Sequence, residues 1–265
     1  VIGSTKDVSG ATFALPTKSK TMVFTCIALQ IGATYLLVSH AHRSAILFIL
    51  AFLVSGFVTD LVTGLAHFSF DYLWPPNAPV FGPIAQEFLD HHGDPTLDPS
   101  ALTENFTRGA YGALPFVLGT WIIATVMVET PSSFFLAALL MGISLWGLAF
   151  HQIHSYTHMG SKLSPASFNK AVIRICGMPT AQRRKEFGEL FALVGIPRWI
   201  RVLQRCRLFL RPEVHWQHHI SFESDFSSVN GWSDPLMNLI YGPIARRKKA
   251  NGARMPVLTL TDGPE

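Results

Sequence analysis

Nine of the 11 histidines in this 265-residue chain fall into four short groups, and the chemistry best served by such groups is metal binding. Asp60, His67 and Asp71 recur at i, i+7, i+11, which puts them on one face of a helix. Asp90-His91-His92 precedes Gly93-Asp94-Pro95 in what reads as a loop. His151, His154 and His158 are spaced i, i+3, i+7, and His215, His218 and His219 are spaced i, i+3, i+4. At i, i+3 or i+4, two side chains of one helix can converge on the same ion. Eight or nine imidazoles are too many for one ion, since zinc takes four ligands. Two octahedral irons could use them. The competing reading is a polar network of interfacial histidines that holds no metal. Asp60 is costly inside an apolar helix unless it has a partner or a role. It is expected to hydrogen-bond a ligand histidine from behind, with Asp71 and His151 as further supporting candidates.

Positioning these groups calls for long helices. Hydrophobic residues make up 49% of the chain and charged residues 14%, with a mean hydropathy of +0.30. Soluble domains carry about 25% charged residues, so this is the composition of a membrane protein. Phe (20) and Trp (6) suit lipid-facing and interfacial positions. Four apolar stretches, 22–38, 45–70, 111–128 and 134–150, are near or above the ~20 residues that span a bilayer. The second is long enough to carry His67 beyond the lipid. With four spans, all but Arg43 of the 21 Lys and Arg fall on one side, together with the four histidine groups. That side is the cytosolic side or its equivalent. His40 and His42 lie on the opposite side, as solvated loop residues. The expected fold is therefore an all-α integral membrane protein. About four transmembrane helices carry a histidine-rich cytosolic-side cap with amphipathic interfacial helices.

Residues 1–20 read as a disordered tail, equally compatible with the end of a targeting peptide. Residues 21–245 form the membrane domain, and 246–265, opening with Arg246-Arg247-Lys248-Lys249, a disordered basic tail. After Pro197, Arg198, Arg201 and Arg205 share one helical face, and Trp199, Val202, Leu203 and Cys206 another. That pattern suits a helix in the headgroup layer or one packed on a cap. Cys26, Cys176 and Cys206 form no CxxC pair, and nothing in their spacing points to a disulfide framework or thiolate metal site. There is no HExxH, GxSxG, P-loop or GxGxxG, so protease, hydrolase and nucleotide readings fall away. Redox chemistry here would need electrons from a partner.

In their order along the chain these motifs resemble the Kua family, the plasmanylethanolamine desaturase family of membrane lipid desaturases. It includes the plastid desaturase that makes the trans-3 acyl bond of phosphatidylglycerol. The resemblance rests on Asp60, Gly64 and His67, on His91-His92-Gly93-Asp94-Pro95, and on Gln152-Ile153-His154 with His158. It continues through Ile196-Pro197-Arg198-Trp199, Leu203-Gln204, His215, His218 and His219, and Asn230-Gly231-Trp232. It implies that His67, His91, His92, His154, His158, His215, His218 and His219 bind two iron ions. It also implies O2 as co-substrate, a membrane lipid substrate and an external electron donor of cytochrome b5 or ferredoxin type, with no nucleic acid. The endoplasmic reticulum membrane is the expected location, with a plastid membrane or the bacterial inner membrane as alternatives. His151 and Val214 depart from the pattern, and 96–101 lengthens one loop. Gln152-Ile153-His154 and Gly231-Trp232 lean toward the plasmanyl branch, whose product is the vinyl ether of plasmalogens. The alternatives are the trans-3 acyl desaturase, a lipid hydroxylase and, in another class, a membrane metal transporter or metal-binding regulator. A transporter would place its ligands near the membrane midplane rather than at helix ends.

Overall fold

The computed structural model describes residues 18–40, 44–95, 97–126, 130–158, 165–253 and 258. His42, Arg43 and most of both tails lie outside the described residues. Those described form ten α-helices and no strand. Four helices are long and apolar enough to cross a membrane: α1 (Lys18–His40), α2 (Ala45–Tyr72), α4 (Leu102–Val126) and α5 (Pro131–His158). The chain is an all-α, multi-pass membrane protein. None of the four is too short to span; α4 begins nine residues before the apolar stretch at 111, because Asn105 and Thr107 are absorbed into its first turns.

Local chemistry sets where the spans begin. The Ser44 hydroxyl accepts from Leu47 N at 3.2 Å and caps α2. Thr130 and Ser133 cap α5 reciprocally: Ser133 N donates to the Thr130 hydroxyl at 3.1 Å, and Thr130 N to the Ser133 hydroxyl at 3.2 Å. Small residues then let the spans approach closely. A Cβ on Gly109 of α4 would meet the carbonyls of Gly147 and Leu148 on α5, and one on Gly142 of α5 would meet Ser55 of α2. The α1 helix is tied in by polar bonds within the apolar layer. Ser144 donates to Gln30 Oε1 at 2.8 Å, and Trp121 Nε1 donates to Leu29 O at 2.8 Å.

Beyond the spans the chain builds a cap from α3 (Gly82–Gly93), α6 (Pro165–Cys176), α7 (Thr180–Leu193), α8 (Arg198–Arg205), α9 (Pro212–Ser221) and α10 (Asp234–Ala250). Two expectations change here. His91 and His92 sit on the last turn of α3 rather than in a loop. Proline within its first two positions starts that helix, and Gly93 ends it. The Arg246–Lys249 run belongs to α10, where cations complement the C-terminal end of the helix, and Lys248 Nζ donates to Tyr72 O at 3.0 Å. The cap has its own core of Phe168, Phe187, Phe191, Ile200 and Trp216. Trp216 Nε1 donates to Thr157 O at 2.7 Å, which pins α9 to the end of α5.

Candidate metal centre

Helices α2, α3, α5 and α9 end together, and each brings histidines to the junction. Two ligand groups result, each with its donor atoms within 4.8 Å of one another. One is His91, His158, His215 and His219; the other is His67, Asp71, His92 and His218. His154 adjoins the first, with its Nε2 3.3 Å from His91 Nε2. All eight histidines of the sequence pattern thus meet at one place, buried or nearly so.

The imidazoles confront each other nitrogen to nitrogen. His158 and His215 Nε2 are 2.9 Å apart, and His215 and His219 Nε2 are 3.1 Å apart. His67 and His218 each place Nε2 3.2 Å from His92 Nε2. Outer bonds settle the tautomer in part of the set. His92 Nδ1 donates to Phe88 O and His218 Nδ1 to Ser224 O, both at 2.8 Å, which leaves each Nε2 with a lone pair. Such lone pairs repel unless a cation lies between them. Nitrogens about 2.1 Å from a common ion and at right angles lie about 3.0 Å apart, so these spacings fit ligands of a metal.

Asp71 supplies the second test. Its side chain is 1% exposed, and neither oxygen has a hydrogen-bond partner among the described residues. It lies 3.4 Å from His218 Nε2, 3.6 Å from His92 Nδ1 and 3.9 Å from His67 Nε2. A buried carboxylate so placed calls for a cation. Electrostatics in the cap agree. Burial pushes the His91 and His92 imidazoles down to about 3, and repulsion from His218 adds to it. Burial likewise holds His215 and His219 well below the usual imidazole range. Neutral imidazoles are what a metal binds. His218 is the exception: burial opposes its protonation, but Asp71 beside it raises its pKa.

The supporting residues are not arranged as expected. Asp60 reaches no histidine. Its Oδ1 accepts from Val229, Asn230 and Gly231 N at 2.9–3.2 Å, and its Oδ2 from the Ser233 backbone and hydroxyl at 2.9 and 2.8 Å. It folds the 229–233 segment, and adjacent Ser228 then places its hydroxyl 3.3 Å from His67 Nδ1. Asp60 therefore acts on the site at one remove. Asp71 stands among the donor atoms instead of behind them. His151 joins neither ligand group; it packs on Phe150 and lines a cavity.

That cavity, of about 600 Å³, was not foreseen from the sequence. Val62, Ala66, Phe70, Ile84, Phe88 and Phe150 give it apolar walls, and it reaches His67, His91 and His154. Val62 and Tyr111, which also line it, are exposed on the spans. Its charged lining is Glu87 and Arg108; Arg108 pairs with Glu87 and, at 3.1 Å, with Glu104. The one signal for it in the sequence is Arg108, a lone cation near the start of an otherwise apolar helix.

Comparison with known proteins agrees with this geometry. The family model of the lipid desaturase domain matches residues 56–177, from the middle of α2 to the end of α6. Plasmanylethanolamine desaturase of Myxococcus xanthus is 25% identical over 226 residues, covering 83% of this chain and 67% of that protein. Plasmanylethanolamine desaturase 1 of Mus musculus is 22% identical over 228 residues, covering 83% and 70%. No solved structure matches. The matched segment carries His67, His91, His92, His154 and His158, three of which (His67, His91 and His154) line the apolar cavity, so over these residues the chain is similar to the lipid desaturase domain and to the plasmanylethanolamine desaturases.

Proposed function

We propose that the chain is an O2-dependent di-iron lipid desaturase that forms the vinyl ether of plasmalogens from an ether-linked alkyl chain. The observation that carries this reading is the pair of ligand groups at the floor of an apolar cavity lined by exposed residues of the spans. Two irons held by His67, Asp71, His92 and His218 and by His91, His158, His215 and His219, with His154 adjoining, would supply oxidising power from O2 and two external electrons. The chain's own residues do the rest. Val62, Ala66, Phe70 and Phe88 exclude water from the alkyl chain and hold it against the histidines. Glu87 and Arg108, the charged groups of the lining, suit the polar end of a lipid. Metals at helix ends then face carbons close to the headgroup, as a vinyl ether requires. Electrons come from an external donor of cytochrome b5 or ferredoxin type, and the histidine side is the cytosolic side or its equivalent.

The test is expression in cells that lack vinyl-ether lipids, supplied with an alkyl-glycerol precursor. Acid-labile vinyl-ether lipid is the expected product. Hydroxylated lipid alone would make the protein a hydroxylase, and a trans-3 acyl chain in phosphatidylglycerol would move it to that branch. No lipid change, with metal bound and a competent donor present, would overturn the enzymatic reading.

A further inference from the structure

A second cavity, of about 340 Å³, lies between α7, α8 and the start of α9 and shares no lining residue with the histidine cavity. Five arginines line it, Arg184, Arg201, Arg205, Arg207 and Arg211, against one carboxylate, Glu213. Glu213 Oε1 is 3.6 Å from both Arg184 Nε and Arg211 Nη1, so it offsets part of the charge and leaves Arg201, Arg205 and Arg207 without an acid in the lining. Gln204 lines the same cavity. It is 4% exposed, and its Nε2 has no hydrogen-bond partner among the described residues. The buried Nε of Arg201 is in the same state. Buried donors of this kind require an acceptor. The first turn of α9, which no side chain caps, borders the cavity through Pro212 and Glu213 and adds backbone N–H groups.

A half-open pocket with excess positive charge and unmet donors suits an oxyanion of phosphate size. The outer surface of α8 indicates where that phosphate comes from. Arg198, Arg201 and Arg205 form one stripe of this helix, and directly beside it Trp199 (58%) and Val202 (47%) are exposed, as is Leu193 (61%) just before it. An apolar flank next to a basic one is how a helix lies in a membrane interface, with its arginines level with lipid phosphates. We propose that this pocket binds the phosphate of an anionic lipid headgroup, at a site separate from the cavity that takes the reacting chain. Its occupant would neutralise the arginines that crowd the start of α9, the helix carrying His215, His218 and His219, and so steady the cap on the membrane.

The experiment follows thermal unfolding of the full chain, purified in neutral detergent, titrated with short-chain phosphatidylglycerol, short-chain phosphatidylcholine or inorganic phosphate. Saturable stabilisation by phosphatidylglycerol, larger than by phosphatidylcholine or by inorganic phosphate at equal concentration, is expected. Arg201→Gln with Arg205→Gln raises the half-saturating concentration about tenfold or more, the loss of about one charge-assisted contact. Arg198→Gln, which removes a charge of the same helix outside the pocket lining, does not. Gln204→Glu puts a carboxylate among the arginines; it raises the unfolding temperature without lipid and abolishes the response to lipid. This variant decides the matter should the double arginine variant fail to fold. Equal weakening by Arg198→Gln would reduce the effect to surface charge and overturn the pocket. A response to inorganic phosphate alone would overturn the lipid source. Binding of an acidic redox protein with no response to any phosphate would give the arginines to a protein partner and also overturn the proposal.

Discussion

Asp60 and Asp71 sit on one face of α2, yet their surroundings give them opposite tasks. Asp60 is satisfied by five bonds from the 229–233 segment, whereas Asp71 is buried without a hydrogen-bond donor and within 3.9 Å of three histidines. Asp71→Asn is therefore expected to weaken metal binding at the His67–His92–His218 group roughly 10–100-fold. Unchanged metal content and turnover in that variant would return Asp71 to a structural role. Asp60→Asn is expected to lower stability by about 1–3 kcal/mol and to reduce activity through Ser228 and His67, without preventing membrane insertion. Unfolding in detergent and a membrane fractionation check both parts. His154→Ala and His218→Ala should abolish activity, and His40→Ala and His42→Ala should leave it intact. Equal loss in all four at normal expression would overturn the topology on which the histidine count rests.

The elements that were readable in the sequence are those whose own periodicity declares them. The four spans and the amphipathic stretch of α8 follow from local pattern. The α3 helix did not, because Pro83 and Gly93 at its two ends are the same residues that mark a loop, and its Ile84 and Phe88 make too short an apolar stripe to outvote them. The cavity left no signal in the sequence beyond Arg108, since its walls come from α2, α3, α4 and α5 and exist only once these pack. That packing predicts a contrast between two glycines of α4. Gly109→Val drives a side chain into the carbonyls of Gly147 and Leu148 and should cost about 1–3 kcal/mol, whereas Gly112→Ala, with nothing within 4 Å of its Cβ, should cost little. Equal unfolding temperatures for the two variants would contradict the α4–α5 contact. At the start of α10, burial, and then repulsion from Asp225 and Asp60, raise the Asp234 carboxyl to about 7. The unfolded chain binds fewer protons than the folded one between the ordinary carboxyl range and about 7, so this group loses stability as pH rises through that window. Asp234→Asn should accordingly be more stable than the parent at pH 8, with the gain shrinking as pH falls through about 7 toward 4. A gain that grew on acidification would reverse the assignment.

At the scale of the whole molecule, spans running in alternate directions bring the ends of α2 and α5 and the start of α4 to one end of the bundle, where Asn105 Nδ2 donates to Gln152 Oε1 at 3.0 Å. The cap closes over that end, and α9 inserts its three histidines between those of α2, α3 and α5. Charge asymmetry and histidine spacing made this convergence legible. The division into two groups was not, because it depends on how α9 turns relative to α3. His91 and His92, neighbours in the chain, go to different groups. The proposed chemistry needs two metal ions in that junction, and the most direct measurement is the metal content, by mass spectrometry, of the purified full chain expressed with iron supplied. Two irons per chain are predicted, one for each ligand group. Stoichiometric zinc with no iron would contradict a di-iron centre.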